Sequence, residues 1–555
     1  MTTSATTVDA ATHAASAAEL VAHLETIIAE GSRAIAASCA NDAGGLDSAL
    51  LEQHQSVSYD LASLSASVSA ARHLATHVNA HPADATTALV FAADVAADMQ
   101  TRLVGREAAF GVTTDFLAPV RGQVAAGRNP AVIASCAMRV MASGEVAERG
   151  LTEELEMVRQ TFRRFAEDRV KPIAEQVHRN DADIPDDIIT GLAELGCFAL
   201  SIPEEFGGFA TGGTDELLNM VVVTEELSRG SLGAAGSLIT RPEILGAALL
   251  HGGTAAQKER WLPQLASGEK MCAISVTEPN VGSDVAGVST TARRDGDSYV
   301  IDGVKTWCTF AGRAELLLVL VRTDPDRSKG HRGLSLVVVE KPAFAGHQFE
   351  LSQPEGGRIE ARAIPTLGYR GMHSFEVSFD GWRIPADCLI GEEDGLGRGF
   401  YLQMQAFANG RLQTAARACG VMQAALDEAV TYTAQRHVFG IPLAEYELSR
   451  NKIGLMAARL AASRVFALAV AEQLATKDPG AGLAASQVKQ HTCRTAEWVS
   501  REALQLHGGY GYAEEYTVSR LFVDARVLSI FEGTDEVLAL KIIARTLLSE
   551  AANAH

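Results

Sequence analysis

Along this chain the apolar positions change their period twice. Residues 57–78 and 88–103 carry apolar and small side chains at helical spacing. Gly44-Gly45, His81-Pro82 and Asn129-Pro130 punctuate that first segment, as Gly and Pro steps interrupt regular structure. From Thr152 the run Thr-Glu-Glu-Leu-Glu-Met-Val-Arg predicts an N-capped amphipathic helix with carboxylates at its positive end. Helical spacing continues to about Leu265, broken by a loop at 203–213. The period then becomes two. Residues 271–276, 299–301, 316–321, 334–339 and 375–379 are short apolar or β-branched runs, and Asp295-Gly296, Asp302-Gly303 and Asp380-Gly381 supply hairpin-turn chemistry. After Pro385 helix returns, with Val488, Thr492, Ala496, Val499, Ala503 and Leu506 on one face. The order predicts an α+β, mainly helical chain. It comprises an N-terminal helical extension (1–150), an α-helical domain (151–270), an antiparallel β domain (271–388) and a C-terminal helical bundle (389–555).

Composition qualifies the first segment. Thirteen of the first 40 residues are Ala, which favours helix with little packing specificity. A small helical bundle in front of a larger body is expected, a partly disordered start over residues 1–15 being the alternative. The 555 residues carry a net charge of −20, which argues against nucleic-acid binding, since that needs a basic surface. No apolar run approaches the roughly 20 residues that span a bilayer, so no membrane association is expected. The start of the chain lacks the basic and apolar regions of a secretory leader. The eight cysteines are scattered singly, none within metal-ligand spacing of another. Neither a disulfide framework nor a metal site is expected, and a reduced cytoplasmic protein is.

Four stretches carry candidate chemistry. Ser275-Val-Thr-Glu-Pro-Asn-Val-Gly-Ser-Asp284 groups hydroxyls with a Gly-containing turn whose N–H groups suit an anion. Trp307-Cys-Thr309 sets an aromatic plate beside a hydroxyl, suiting a flat heteroaromatic cofactor. Gln505-Leu-His-Gly-Gly-Tyr-Gly511 ends a long helix with glycines that allow close backbone approach. Ile530-Phe-Glu-Gly-Thr534 places Glu532 after two apolar residues. Taken singly, each has a plain structural explanation: a C-cap, a helix-start carboxylate, a core tryptophan. No Gly-x-Gly-x-x-Gly follows a strand, so a Rossmann nucleotide site is not supported.

In this order and at these separations the stretches, with Arg436-x-x-Phe439-Gly440, resemble the acyl-CoA dehydrogenase family over about residues 152–548. The resemblance implies an α-helical domain, a β domain and a C-terminal four-helix domain holding FAD at a subunit interface. It implies that Thr277 and Thr309 hydrogen-bond the flavin and that Trp307 flanks it. Ser283 would lie near FAD and the pantetheine arm. Arg436 and Phe439 would serve the neighbouring subunit, Arg436 at the pyrophosphate, while Gln505, Gly509 and Thr534 serve the adenosine and pyrophosphate portion. Arg411, read as lying at the start of a helix, matches the Arg beside the CoA site, and Glu532 the catalytic base. A subset of the family carries its base just before that Arg; here the position is Gly410, leaving Glu532. Apolar neighbours such as Phe531 are expected to desolvate Glu532 and raise its pKa toward working pH.

The acyl group is narrowed by the extension, by the basic run 357–373 and by Ser237-Leu-Ile-Thr-Arg-Pro-Glu-Ile244. These resemble family members that oxidise a short branched dicarboxylic acyl-CoA, with electron-transferring flavoprotein as acceptor. A buried distal carboxylate needs a cation. Arg241 is the first candidate, with Arg313 and His373 as fallbacks; a surface ion pair between Arg241 and Glu243 is the alternative. Competing readings are a dehydrogenase of a short 2-branched monocarboxylic acyl-CoA and a non-catalytic DNA-binding relative, the latter opposed by the −20 charge. The extension is expected to cover the enzyme's own surface, favouring a homodimer over the homotetramer of many relatives.

Overall fold

The computed structural model describes residues 3–42 and 45–554, so Gly44 of the expected Gly44-Gly45 break lies outside the described residues. The chain forms two compact units, Met1–Glu156 with Arg411–His555, and Met157–Gly410.

In the first unit, N-terminal and C-terminal helices share one interior. Gln55–His77 and Ala85–Leu103 match the two helical stretches read from the sequence, and Asn129 caps Pro130–Ser143 by accepting from the Ala131 N–H at 2.9 Å. All three pack against Glu447–Ala475, and Gln55–His77 also meets Ala481–Leu506. Small residues set the spacing: a Cβ on Gly454 would lie 2.2 Å from the Ile133 carbonyl oxygen. Ala62 joins Leu538, Ala539, Ile543 and Ala544 in one apolar cluster. Polar pairs cross the same seam, Arg459 to Asp94 at 2.8 Å and Arg494 to the Ser63 hydroxyl at 2.9 Å. Glu447–Ala475 is long and apolar enough to cross a membrane, yet 78% of its apolar window is buried inside the unit. It is a core helix. The helix Ala481–Leu506 buries the whole predicted face from Val488 to Leu506.

In the second unit helices precede an eight-stranded sheet. The Thr152 hydroxyl, still within the first unit, accepts from the Leu155 N–H at 3.3 Å, as the Thr152 signature requires, and the helix Glu153–Phe165 carries the chain on into the second. The strands are β1 (Cys272–Ser275), β2 (Thr291–Asp295), β3 (Ser298–Thr309), β4 (Leu316–Arg322), β5 (Leu334–Glu340), β6 (Gln348–Ser352), β7 (Arg358–Ala363) and β8 (Ser374–Pro385). Their order is β1-β4-β2-β3-β8-β7-β6, with β5 beside β4. Most pairs are antiparallel, but β1 runs parallel to β4. Every residue of β4 is buried, which explains its unbroken apolar run.

The three Asp-Gly steps divide. Asp295-Gly296 turns the chain from β2 to β3 as expected. Asp302-Gly303 and Asp380-Gly381 instead lie inside β3 and β8, which pair with a register shift between Ile301 and Gly303. The Asp302 carboxylate accepts from the Gly381 N–H at 2.8 Å, so the two steps lock one irregularity rather than make two hairpins. A Cβ on Gly303 would meet Thr290 at 2.6 Å, which is why glycine stands there.

Candidate active site

In the second unit the loop after β1 is pinned from beneath. Glu278 is 4% exposed and pairs with the fully buried Lys305 ammonium at 2.9 Å. Its carboxylate also accepts from the Ser289 N–H (2.9 Å), the Ser289 hydroxyl (2.6 Å) and the Thr290 N–H (2.8 Å). Desolvation alone would raise this carboxyl; the Lys305 charge and these hydrogen bonds outweigh it and pull the pKa down to about 2. The neutral main chain completes the clamp, with the Lys305 ammonium donating to Val276 O at 3.0 Å and the Thr306 N–H to Thr277 O at 2.8 Å. Above it Thr277 is half-buried, while Gly282 and Ser283 are exposed. Sequence reading missed this Glu278–Lys305 pair; a lysine inside a strand that is otherwise mostly apolar was the available signal.

The same strand presents the indole. Between Lys305 and Cys308 the β3–β8 register shifts again, and Trp307 takes a φ of +57°. A bulge of this kind re-aims a side chain, and Trp307 is 54% exposed although its neighbours Thr306 and Cys308 are buried. Thr309 follows, its hydroxyl 2.9 Å from that of Ser374.

Arg241 is only 5% exposed, so a surface ion pair with Glu243 does not describe it. Its guanidinium donates to Ser237 O (3.3 Å), Thr309 O (3.2 Å) and the Thr240 hydroxyl (3.0 Å), all neutral oxygens. The fallback cations are otherwise engaged. Arg313 donates to Ile184 O at 2.9 Å and to Asp186, and His373 pairs with Asp183 at 3.0 Å.

In the first unit Glu532 lies in the short loop between the helices Thr517–Leu528 and Asp535–Val537, half-buried, with a φ of +55°. The loop is held on its far side, where the buried Lys489 ammonium donates to Gly533 O at 2.7 Å and Thr534 caps the next helix through the Val537 N–H at 3.4 Å. Arg411 is not at a helix start; it lies well inside Gly399–Gln435. Its guanidinium donates to the Ser486 hydroxyl at 3.3 Å. Burial lowers the Arg411 pKa, and the Glu532 carboxylate acts on it in the opposite sense, so the two groups feel one another. The setting of Glu532 is therefore less purely apolar than expected: Phe531 itself lies 5.7 Å from the Arg417 guanidinium.

Two further features belong to this unit. Phe439 and Gly440 both have positive φ, +50° and +89°, the requirement of a two-residue type I′ hairpin, and join the strands His437–Val438 and Ile441–Pro442. The turn leaves the Phe439 ring 96% exposed, with Arg436 exposed at its base. Tyr432 stacks on His507 at 4.1 Å and ties that end of its helix to the end of Ala481–Leu506. There Gln505 is exposed, and added Cβ atoms on Gly508 or Gly509 would meet nothing within 4 Å.

Three family models match in succession: acyl-CoA dehydrogenase N-terminal domain at 152–269, middle domain at 273–382 and C-terminal domain at 397–548. The chain belongs to the acyl-CoA dehydrogenase family. This acyl-CoA dehydrogenase is 46% identical over 402 residues to the (2S)-methylsuccinyl-CoA dehydrogenase of Cereibacter sphaeroides, covering 72% of this chain and 70% of that protein. It is 34% identical to the mitochondrial short-chain specific acyl-CoA dehydrogenase of Bos taurus, covering 72% of this chain and 91% of the relative. Among solved structures, glutaryl-coenzyme A dehydrogenase in its glutaryl-CoA complex shares the fold with a TM-score of 0.65 and 29% identity, over 72% of this chain and 95% of that one. Butyryl-CoA dehydrogenase from Megasphaera elsdenii gives 0.65 and 29%, over 72% of this chain and all of its own. The chain is an enzyme, an oxidoreductase of acyl-CoA thioesters, and FAD is its cofactor.

Proposed function

We propose that this acyl-CoA dehydrogenase oxidises (2S)-methylsuccinyl-CoA to mesaconyl-CoA, a step of the ethylmalonyl-CoA pathway, and passes electrons to an electron-transferring flavoprotein. The observation that carries the dicarboxylate is Arg241, a buried cation whose described hydrogen bonds go to neutral oxygens. A buried charge of this kind gains most from an anion, and the substrate's distal carboxylate is one. The 46% identical relative named for this substrate supports the same reading.

The residues present suit FAD. In the second unit the exposed Trp307 indole offers a stacking surface and Thr277 and Thr309 carry hydrogen-bonding hydroxyls; in the first, the open backbone at Gly509, near the exposed Gln505, leaves room for phosphate. In this proposal Ser283 serves FAD and the pantetheine arm, Arg411 the CoA, Thr534 the adenosine portion, and Arg436 with Phe439 the FAD of a neighbouring subunit. When bound, FAD would supply the acceptor for the β-hydrogen, which leaves the substrate as hydride. Glu532 takes the α-proton onto its carboxylate, and its main-chain N–H donates to the thioester oxygen as that oxygen gains charge.

A cytoplasmic homodimer is part of the proposal. The extension covers Glu447–Ala475 within its own unit, while Phe439 and Tyr512 stay 96% and 88% exposed, as surfaces awaiting a second copy do. The test is a flavin-bleaching titration of the purified holoenzyme with methylsuccinyl-CoA and with 2-methylbutanoyl-CoA. A site built around a buried cation should reject the monocarboxylic analogue by up to about 10⁴-fold. Equal turnover of the two would assign the enzyme to short 2-branched monocarboxylic thioesters instead.

A further inference from the structure

Asp181, His347 and His373 are far apart in sequence. They lie in the turn after the helix Lys171–Arg179, just before β6 and just before β8. In the second unit their polar atoms converge. Nε2 of His347 is 3.2 Å from Nε2 of His373, and the Asp181 carboxylate oxygens lie 3.4 Å from His373 Nε2 and 3.8 Å from His347 Nε2. Ligand atoms at about 2.1 Å from a tetrahedral cation stand about 3.4 Å from one another. We propose that Asp181, His347 and His373 bind one divalent first-row transition-metal cation, of which Zn²⁺ fits best, with a fourth position open to water.

The surroundings have the organisation of a metal site. Nδ1 of His373 pairs with an Asp183 carboxylate oxygen at 3.0 Å, and the other Asp183 oxygen accepts from the Gly346 N–H at 2.6 Å. A carboxylate on the far nitrogen of a ligating imidazole fixes its tautomer and its direction. His373 is buried, while His347 and Asp181 reach solvent, which gives an entry path. Two imidazoles and a carboxylate favour zinc and its neighbours over calcium or magnesium. Both Nε2 atoms also lie close to the Asp181 carbonyl oxygen, at 2.9 and 3.2 Å. Arg370 is the competing charge, 3.7 Å from an Asp181 oxygen; its own hydrogen bonds go to Thr366 O and His178 O.

A cation here would brace the strand end that carries Trp307. The Phe310 N–H donates to His373 O at 2.8 Å, and the Ser374 hydroxyl meets that of Thr309 at 2.9 Å. The metal's role is thus structural, and its readout is binding and stability rather than turnover.

The test uses the FAD-loaded enzyme, stripped with a chelator and dialysed, then titrated with Zn²⁺ alone by calorimetry and followed by thermal melting. One saturable equivalent per chain and a raised Tm are expected. His347→Gln, at a half-exposed position, should fold normally and lose that equivalent together with the Tm shift. Asp183→Asn, which leaves all three ligands in place, should weaken binding by about 10–100-fold. The proposal is overturned if the wild type shows no one-equivalent step, or if His347→Gln binds and melts like the wild type in the presence of Zn²⁺.

Discussion

Glu278 and Glu532 both occupy motif loops of one enzyme, and their surroundings give them opposite work. Glu278 is almost wholly buried and accepts four hydrogen bonds, one from an ammonium that is itself fully buried. Every lone pair it can offer is already spoken for, and its proton affinity is suppressed down to about 2. Such a carboxylate cannot take a proton at neutral pH and can only hold a loop in place. Glu532 is half-buried, stands on a left-handed backbone, and is steadied through its neighbours: Lys489 on Gly533 O and the helix cap at Thr534. Here the scaffold grips the loop through its neighbours, and the proposed function assigns the carboxylate to the substrate. The lesson is that a motif glutamate is read by where its hydrogen bonds go, and not by its motif.

The largest expected effect separates the two by rate. Glu532→Gln should retain FAD and lower substrate-dependent flavin bleaching by about 10²–10⁴-fold, with a Tm within a few degrees of the wild type. Stopped-flow absorbance and a melting curve measure both halves. Unchanged bleaching would take Glu532 out of the reaction.

The next effect separates them by stability. Glu278→Gln strands the Lys305 ammonium without its counter-charge, and removing one member of a buried pair costs about 3–5 kcal/mol. Chemical denaturation should show that loss, with flavin released from the variant at lower denaturant than from the wild type. A variant as stable as the parent would mean the clamp is not what holds the loop.

Acid should sharpen the contrast with a smaller effect of opposite sign. Asp535, next to the Glu532 loop, is 8% exposed; desolvation raises its pKa from 3.8 to about 6, and Lys489 and Arg494 only partly oppose this. A group whose native pKa is raised binds its proton more tightly in the folded state, so stability rises as pH falls from about 6 toward 3.8. Glu278 behaves the other way: its contribution is present above the ordinary 4.5 and is lost as pH falls from there toward about 2. Between pH 7 and pH 5, wild type should therefore gain stability relative to Asp535→Asn, on the order of 1 kcal/mol. A pH-independent difference between the two would mean that Asp535 is not protonated on folding.

Much of this was legible in the chain. Period and caps placed the helices Gln55–His77 and Ala85–Leu103, the helix start after Thr152 and the buried face of Ala481–Leu506, but not the bounds of Gly399–Gln435, where Arg411 is internal; the strands β1, β3, β4, β5 and β8 announced themselves as apolar runs. The strands β2, β6 and β7 did not: β2 has a single buried apolar residue among charged ones, and β6 and β7 alternate but over only five and six residues, with few large apolar side chains among exposed Arg, Glu and Gln. The Asp-Gly steps at 302 and 380 misled because a bulge and a hairpin need the same positive φ, and local sequence cannot say whether the strand resumes beyond it. The motif residues were visible, but the partners that fix them were not. Lys305 beneath Glu278 and Lys489 beneath Gly533 are each tens of residues away in sequence, and only the fold brings them together. Arg241 shows the same limit: the sequence offered it as a candidate, while its burial beside the Ser237 and Thr309 carbonyls, which decides between a surface pair and a buried cation, follows from tertiary packing alone.

The smallest effect tests how the Glu532 loop is held. Thr534 accepts from the Val537 N–H at 3.4 Å, a long bond for an N-cap, whereas Lys489 grips Gly533 O at 2.7 Å. If the lysine carries most of the restraint, Thr534→Ala should cost near the lower end of the cap range, about 0.5 kcal/mol, and Thr534→Ser should cost less still. Denaturation of the apoenzyme isolates that term. Repeating it with FAD adds whatever the hydroxyl contributes to the cofactor. A stability loss in the apoenzyme alone would assign Thr534 to the cap, and a larger loss in flavin affinity that serine restores would assign its hydroxyl to FAD. A cost well above 1 kcal/mol in the apoenzyme would instead make the cap, and not Lys489, the restraint that keeps Glu532 in its left-handed conformation.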